Sequence, residues 1–539
     1  MQEAVTTAPA TPGYLSTIIT RLRTEAPSLA DSTIALLSSL LLILSFPDFK
    51  FSFLAWVALV PLLITLVRQP TAGRAFILGW LTGSVFFYVS CYWLTYSMIN
   101  YGGLPVLVAY GLLVPGALAV GVFPGLFALI VALAVRRFGN KAVLLAPIIW
   151  VATEWLRLGI TGQLWNALGY SQAEVLNGLL IRPAAWGGVY AISFLVLIVN
   201  SAAVFGMLGS SLKSWIVAFL LISLVPITTF ISIYHSRERN SVPTPSLYVI
   251  AVQPNVPMTM VKSVAETKEL LERHLVLSKN ALHNVPLDDV PRLVVWPESP
   301  MNFTYANDRA FQELITEFTT ENHTSLIINS LEPAPDDGGY NSALLINEKG
   351  RMIAQYDKIR LLPFGEYVPL PGWLPGASLI RGLVGDFTPG TRYTMMPIGN
   401  VRIGVFICIE AAYPFIARRL TNEGAEVLIN ISNDGYLGPT AVMRQHLANA
   451  IFRSVENGRP LVRVTNSGIS ADVSPVGPVL DQTGAFQPDV RTWTVSTKQK
   501  RDTFYSKYGD LLAQICTVLT LAVLVISFIG VRRRSRDLR

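Results

Sequence analysis

The chain has 539 residues, of which 51% are hydrophobic and only 14% are charged. Soluble globular proteins carry about 25% charged residues, so this composition excludes a wholly soluble protein. A formal net charge of +7 can attract nucleic acid or anionic lipid. The basic residues cluster beside apolar runs, at 135–141 and 531–539, without a basic groove of interleaved aromatic residues, so we expect no nucleic-acid partner.

Eight apolar segments approach or reach the roughly 17 to 25 residues that a membrane-spanning helix needs. They lie at 31–46, 52–67, 75–97, 104–135, 142–160, 185–208, 214–234 and 509–531. The sequence therefore predicts a multi-span α-helical membrane domain of about eight transmembrane helices. Seven of them form the region 31–235, and the helix 509–531 follows a block of ordinary soluble composition at 240–505.

The distribution of basic residues predicts the orientation. The fourth segment contains Pro115 and Pro124, and it forms either one kinked helix or two spans. If it is one helix, most basic loop residues fall on the same side as both termini, and positive loops face the cytoplasm. Residues 1–30 and the basic tail 532–539 are then cytoplasmic, and the block 240–505 lies outside the cytoplasm.

The soluble block alternates short β-type runs with helical patterns. Strands are predicted at 246–253, 292–299, 325–330, 401–408, 426–432 and 460–466, a hairpin at 341–358, and helices at 264–285, 307–318, 413–422 and 441–457. This alternation predicts an α/β architecture around β-sheet.

Polar residues follow several of the predicted strands at the points where the strands end. Glu298, Lys358, Cys408 and the pair Asn433–Asp434 stand there, and ligands bind at the carboxyl ends of strands in such folds. A cysteine is a strong nucleophile once a base or cation activates it. A carboxylate can accept its proton, and a lysine can stabilise an oxyanion. Spacing alone leaves open that Cys408 is a buried strand cysteine.

Three sequence blocks carry a family resemblance. "VVWPES" around Glu298, "YDKIRLLPFGEYVP" around Lys358 and "GVFICIEAAYP" around Cys408 resemble the blocks of the carbon–nitrogen hydrolase (nitrilase) superfamily. Together with the eight apolar segments, they resemble the apolipoprotein N-acyltransferase family of bacterial inner-membrane enzymes. The resemblance implies an αββα sandwich for 240–505. In it Glu298 is the general base, Lys358 stabilises the oxyanion and Cys408 is the nucleophile.

The resemblance also implies supporting residues and exposes departures. Glu366, Glu410 and Asn341 match supporting positions near the site. The departures, which we expect to shape the lipid pocket, are Ile409 in place of Tyr, Tyr436 and Leu437 in place of Trp and Phe, and the absence of Trp between Gln253 and Val295, where Lys262 stands.

The resemblance implies a two-step acyl transfer without a cofactor or metal. An acyl chain passes from a membrane phospholipid to Cys408 as a thioester, and then to the α-amine of the diacylglyceryl-cysteine of an apolipoprotein. The catalytic domain is expected on the periplasmic side of the inner membrane, in a monomeric enzyme. Two alternatives remain open: a membrane-anchored amidase that hydrolyses the thioester, and a non-catalytic membrane scaffold.

Three further features receive two interpretations each. The apolar segment 359–385 is either a lid that dips into the bilayer through Leu361, Leu362, Trp373 and Leu374, or a loop packed on its own domain. The loop 162–174 either lines the lipid entrance or caps helices. His446, on a predicted helix, is interpreted as structural rather than functional.

Overall fold

The computed structural model describes residues 25–47, 49–68, 70–236, 244–259, 262–298, 300–335, 338–363, 365–368 and 387–536. Residues Trp373 and Leu374 of the predicted lid lie outside these described residues.

Apolar helices make up the first part of the chain and its end. They are α1 (Leu29–Ser45), α2 (Val60–Val67), α3 (Ala72–Ser90), α4 (Leu94–Asn100), α5 (Val106–Phe138), α6 (Ala146–Thr161), α7 (Ala184–Gly187), α8 (Val189–Gly209), α9 (Leu212–Ile222) and α10 (Leu224–Ser236), with α15 (Phe504–Tyr508) and α16 (Leu511–Arg536) after the sheet-forming part.

Among the described residues, five helical stretches are long and apolar enough to cross a membrane: Ala72–Ser90, Val106–Phe138, Asn140–Thr161, Val189–Gly209 and Leu212–His235. Three shorter apolar helices, Leu29–Ser45, Ser52–Val67 and Leu511–Ser527, occupy the other predicted segments. The protein therefore has a helical membrane part, and a total of eight spans stays a prediction.

The fourth apolar segment is one helix, as the charge distribution suggested. Helix α5 runs unbroken from Val106 to Phe138 although Pro115 and Pro124 lie inside it. It packs closely on α3, because a Cβ atom on Gly79 would lie 2.3 Å from the carbonyl oxygen of Pro124, and one on Gly83 would lie 2.5 Å from its ring. The absence of side chains at these two glycines of α3 thus allows Pro124 of α5 to approach closely.

Residues 247–495 contain two six-stranded sheets within the described part of the chain. The strands are β1 (Leu247–Gln253), β2 (Arg292–Val295), β3 (Ser325–Pro333), β4 (Gly339–Ile346), β5 (Met352–Asp357), β6 (Met395–Ile398), β7 (Val401–Ile407), β8 (Val427–Ser432), β9 (Leu461–Thr465), β10 (Ala471–Val473), β11 (Val479–Gln482) and β12 (Asp489–Val495). The first sheet has the order β12-β1-β2-β3-β4-β5 and the second β11-β10-β9-β8-β7-β6. Strands β1, β2 and β3 are parallel, as are β7, β8 and β9.

Alternating side chains along the strands build the layers. Leu247, Val249 and Ala251 of β1 share a buried core with Ile403 and Val405 of β7, so the two sheets face each other. The opposite face of the first sheet is covered by α11 (Val264–Leu282) and α12 (Arg309–Glu321). Helices α13 (Pro414–Asn422) and α14 (Val442–Asn457) cover the second sheet. The αββα sandwich implied by the resemblance is thus present.

Local sequence signals define the helices of the first layer. Ser263 and Glu266 form a capping box at the start of α11, in which each side chain accepts a hydrogen bond from the other residue's backbone N–H. Asp308 caps α12 by accepting from the N–H of Phe311 at 2.9 Å. Both helices begin within two residues of the predicted starts.

The outer face of α14 and part of that of α13 pack on the membrane part rather than facing solvent. Ile416 of α13 and Ile451 of α14 belong to the same buried cluster as Phe127, Trp150 and Tyr190 of the membrane part. We call this cluster the shared core. It joins the second sheet, through its helices, to the apolar helices that precede it in the chain.

Candidate active site

A buried lysine lies between two carboxylates at the edge where several strands end. Lys358 follows β5, and its Nζ is 3.1 Å from Glu298 Oε1 and 2.9 Å from Glu366 Oε1. Burial alone would lower the pKa of Lys358, but the two carboxylates outweigh it and raise that pKa well above its usual value. The site therefore holds a fixed ammonium group.

Asn341 braces both carboxylates. Its Nδ2 donates to Glu298 Oε1 at 2.9 Å and to Glu366 Oε1 at 2.7 Å. Its Oδ1 accepts from Nδ2 of Asn329 at 2.7 Å, which fixes the orientation of the amide. The supporting places predicted for Asn341 and Glu366 thus coincide with direct contacts to Glu298 and Lys358. Asn329 was not predicted.

The remaining carboxylate oxygens bond to backbone. Glu298 Oε2 accepts from the N–H of Asn433, 3.1 Å away at the end of β8. Glu366 Oε2 accepts from the N–H of Leu362 at 2.7 Å. Glu298 therefore bridges the two sheets, because it follows β2 of the first sheet and bonds beyond β8 of the second.

Cys408 follows β7 and begins a short 3₁₀ turn, Cys408–Ala412, which we call the nucleophile turn. Its φ of +52° is uncommon for a residue with a side chain. Burial raises the pKa of its thiol, the charge of Glu298 raises it further, and Lys358 opposes both effects. The resting cysteine is therefore a neutral thiol that needs a base, and the charges of Glu298 and Lys358 both reach it.

Glu410 ties the nucleophile turn to the lysine segment. Its buried carboxylate accepts from the N–H groups of Ile407 and Ile359, each at 2.7 Å, and from that of Arg360 at 3.1 Å. The hydroxyl of Tyr356 donates to the same carboxylate at 2.9 Å. Glu410 thus fixes residues beside Cys408 relative to residues beside Lys358.

The helix residue interpreted as structural also touches this turn. His446 Nε2 lies 2.9 Å from the carbonyl oxygen of Cys408, and its Nδ1 lies 2.8 Å from Asp434 Oδ1. Its sequence pattern gave no sign of that contact, because a single histidine on a buried helix has no distinctive spacing.

The described lid residues and the departures lie around the site. Leu361 is buried and Leu362 half-buried, so the described start of the lid segment packs on protein, and a lid that dips into the bilayer stays a prediction. The ring of Tyr436 is 6.0 Å from that of Tyr101 in the membrane part. Lys262 donates from Nζ to the carbonyl oxygen of Thr259 at 2.8 Å.

The loop 162–174 packs on the catalytic part. The N–H of Leu164 donates to the carbonyl oxygen of Ala412 at 3.3 Å, and Trp165 Nε1 donates to Gln445 Oε1 at 2.9 Å. These contacts favour a docking role for this loop, beside the nucleophile turn.

A thiol, a carboxylate and a fixed ammonium at one edge of a sandwich suit acyl transfer through a thioester. The carboxylate can take the thiol proton, and the ammonium can stabilise the oxyanion of a tetrahedral intermediate. The resulting covalent intermediate lets one site serve two substrates in turn.

Comparisons with known proteins agree with this chemistry. The family model described as the apolipoprotein N-acyltransferase N-terminal domain matches residues 38–202, and the carbon–nitrogen hydrolase model matches residues 250–503. An apolipoprotein N-acyltransferase of Geobacter metallireducens is 32% identical over 94% of this chain and 96% of its own length. An apolipoprotein N-acyltransferase of Chlorobaculum tepidum is 26% identical over 93% of this chain and 96% of its own length. One from Rickettsia prowazekii is 29% identical over 70% of this chain and 74% of its own length.

Proposed function

Because the chain belongs to the apolipoprotein N-acyltransferase family and is an enzyme of lipoprotein N-acylation, we propose that it acts through a thioester on Cys408, with a membrane phospholipid as acyl donor. The observation that carries this proposal is the contact of Lys358 Nζ with Glu298 and Glu366, at 3.1 and 2.9 Å, beside the nucleophile turn.

In the first half-reaction, the Glu298 carboxylate takes the proton of the Cys408 thiol. The thiolate attacks an ester carbonyl of the phospholipid, and the Lys358 ammonium stabilises the tetrahedral oxyanion. When the intermediate collapses, the carbon–oxygen bond breaks and the leaving glycerol oxygen takes the proton from Glu298. Lysophospholipid leaves, and the acyl chain stays on sulfur.

In the second half-reaction, the amine of the diacylglyceryl-cysteine attacks the thioester carbonyl. Glu298 accepts a proton from that amine, and Lys358 again stabilises the oxyanion. Collapse breaks the carbon–sulfur bond and leaves an amide on the lipoprotein. The thiolate then recovers the proton from Glu298, which restores the neutral thiol.

The remaining parts of the proposal concern placement. The chain crosses the bacterial inner membrane eight times, carries its catalytic domain on the periplasmic side and acts as a monomer. The asymmetry of basic loop residues supports this orientation. An Asp502→Cys variant without other accessible cysteines tests the side, because position 502 is exposed. An impermeant thiol reagent should label this variant in intact spheroplasts, and labelling only after lysis contradicts the assignment.

We retain the lid as a proposal for the segment that carries Trp373 and Leu374. Replacing both residues with Ser should slow acylation of Cys408 by phospholipid in vesicles, because the apolar anchor to the bilayer is lost. Unchanged acylation kinetics would rule the lid out.

The central experiment follows the acyl group by mass spectrometry. Purified protein incubated with phospholipid should gain one acyl mass on the Cys408 peptide, and a diacylated lipopeptide should then remove it and gain an amide. Cys408→Ala should show no adduct, whereas Cys516→Ala, which changes a buried cysteine of α16, should behave like the parent. An acyl group that passes only to water would favour the amidase alternative.

A further inference from the structure

The backbone of the nucleophile is held by a side chain from a different element. His446 is almost fully buried on α14, and its Nε2 reaches the carbonyl oxygen of Cys408 at 2.9 Å. Its Nδ1 reaches Asp434 Oδ1 at 2.8 Å. The imidazole is thus fixed at both nitrogens between the nucleophile turn and the end of β8.

Both ring nitrogens of His446 face hydrogen-bond acceptors. A carbonyl oxygen can only accept a hydrogen bond, and so can an ionised carboxylate. Burial works against the charge of Asp434, but Arg463, 2.8 Å from its Oδ2, and His446 outweigh burial and hold the pKa of this carboxyl well below its usual range. His446 is therefore held between the Cys408 carbonyl oxygen and the Asp434 carboxylate, and Asp434 is itself paired with Arg463.

The contact matters because the nucleophile turn is strained. Cys408 has a left-handed φ of +52°, which is unfavourable for a residue with a Cβ atom. Such a conformation persists where the surroundings over-determine it. The contact between His446 Nε2 and the Cys408 carbonyl oxygen, at 2.9 Å, supplies such a constraint from a separate element.

The membrane part holds His446 in place. The ring of Trp165 lies 5.5 Å from the His446 ring, and Trp165 Nε1 donates to the neighbouring Gln445 at 2.9 Å. Gln445 Oε1 also accepts from Trp93 at 3.1 Å, and its Nε2 donates to the carbonyl oxygen of Ser90 at 3.0 Å. Two consecutive residues of α14 thus face the membrane part and the nucleophile together.

The same loop contacts the other end of the turn. Leu164 N–H donates to the carbonyl oxygen of Ala412, the last residue of the nucleophile turn. Leu164 therefore contacts the last residue of the nucleophile turn directly. Trp165 acts on the first residue of the turn, Cys408, through His446.

We propose that His446 is a positioning residue for acyl transfer, which aims the Cys408 sulfur by fixing its carbonyl group, and that Trp165 of the membrane part keeps the His446 ring in the required place. The inference rests on the proposed role of Cys408 as nucleophile. On this inference, the nucleophile turn reaches its active geometry only when the sandwich is docked on the membrane helices.

A pair of isosteric variants tests the contact. His446→Gln places an amide N–H where Nε2 stood and keeps a donor to Cys408, whereas His446→Asn places it where Nδ1 stood and keeps only the donor to Asp434. Thioester formation from phospholipid vesicles is measured with full-length protein. We expect His446→Asn to lower kcat at least about tenfold with KM within about twofold, and His446→Gln to stay within about threefold of the parent.

A second pair tests the membrane side. Trp165→Leu removes the ring over His446 and should reduce kcat for thioester formation and the rate of Cys408 alkylation, whereas Trp165→Phe retains a ring and should lose less. Arg444→Gln is the control, because Arg444 bonds Glu174 of the same loop at 3.3 Å from the same helix but does not contact the turn. It should match the parent.

The outcomes separate the two proposals. Equal losses in His446→Asn and His446→Gln, or full activity in His446→Asn, overturn the positioning role. If neither His446 variant yields folded protein, the Trp165 pair decides: a Trp165→Leu enzyme no slower than Arg444→Gln overturns it. Thioester formation that survives in Cys408→Ala would instead refute the proposed function itself.

Discussion

Glu298 and Lys358 act on the Cys408 thiol in opposite directions, since the carboxylate raises its pKa and the ammonium lowers it. The net effect of burial and these charges is a raised thiol pKa, so the sulfur rests protonated. In the proposed mechanism Glu298 takes this proton and later returns it.

Glu298→Gln should therefore raise the reactivity of the Cys408 thiol toward alkylation while it abolishes acyl transfer. Removing the negative charge lowers the pKa of Cys408, and each unit of pKa changes the thiolate fraction about tenfold. At pH 8 we expect faster alkylation of Cys408 by iodoacetamide, measured by peptide mass spectrometry, together with loss of acyl transfer. Glu366→Gln should accelerate alkylation less, because Glu366 has a weaker influence on the thiol. Slower alkylation in Glu298→Gln would contradict this account.

Glu410→Gln should lower both stability and turnover. The amide nitrogen of Gln cannot accept a hydrogen bond, so at least one buried backbone N–H among those of Ile407, Ile359 and Arg360 loses its partner. An unsatisfied buried donor costs about 1–3 kcal/mol. Thermal unfolding and thioester formation are the measurements. The exposed Glu423→Gln, which breaks only a surface pair with Arg419, is the control and should change little.

At the scale of elements, β10 and β11 place two carboxylates directly opposite each other. Asp472 pairs in register with Asp481, and like charges in such positions are destabilising. Burial, and then the charge of Asp481, raise the pKa of Asp472 to about 7. The folded protein therefore binds a proton at Asp472 that the unfolded chain releases near pH 4.

This difference predicts a pH dependence of stability. Between about pH 4 and 7 the folded state holds more protons than the unfolded state at this site, so its contribution to the free energy of unfolding falls as pH rises. Asp472→Asn should remove that decline and exceed the parent by about 1–2 kcal/mol at pH 8. Unfolding at pH 5 and pH 8 measures it. A stability difference between variant and parent that is equal at the two pH values would refute the effect.

The elements also show what the sequence could reveal. Central strands such as β1 and β7 are continuous apolar runs and were predicted within one residue at most of their ends. Strands β6, β11 and β12 lie at sheet edges, where alternation with exposed residues weakens the signal, and the sequence did not predict them. The interior strand β10 was also missed, because its three residues are too few to form a pattern. Edge pairing depends on partners distant in sequence, which a local pattern does not contain.

The candidate site divides in the same way. Glu298, Lys358, Glu366 and Cys408 were found because they stand in recognisable blocks, and Asn341 because it matched one position. Asn329 and the contacts of His446 were missed, since they depend on how elements dock. Trp165, for example, bonds a residue 280 positions later in the chain.

At the scale of the whole molecule, two glycines mark where the membrane part meets the second sheet. A Cβ atom on Gly178 would lie 2.5 Å from the carbonyl carbon of Gly477, and one on Gly477 would lie 2.7 Å from the carbonyl oxygen of Gly178. Both residues have positive φ, of +75° and +114°. A side chain at either position would have to push the two parts apart.

Gly178→Ala and Gly477→Ala should therefore each weaken docking by more than backbone strain alone, which is about 1–2 kcal/mol. Gly103→Ala is the matched control, because Gly103 has a φ of +64° but no atom within 4 Å of its would-be Cβ. Thermal unfolding in detergent should show a larger decrease for the first two variants. Equal decreases in thermal stability for all three variants would mean that the close approach of Gly178 and Gly477 does not contribute to docking.

The shared core has a consequence for how this enzyme fails. Residues of α13 and α14 share one buried cluster with the apolar helices. A sandwich detached from those helices would expose this apolar surface and aggregate instead of catalysing acyl transfer. Detergents that loosen the membrane helices should likewise abolish the reactivity of Cys408 before they unfold the first sheet. A substitution inside the shared core should therefore disturb both parts of the chain at once.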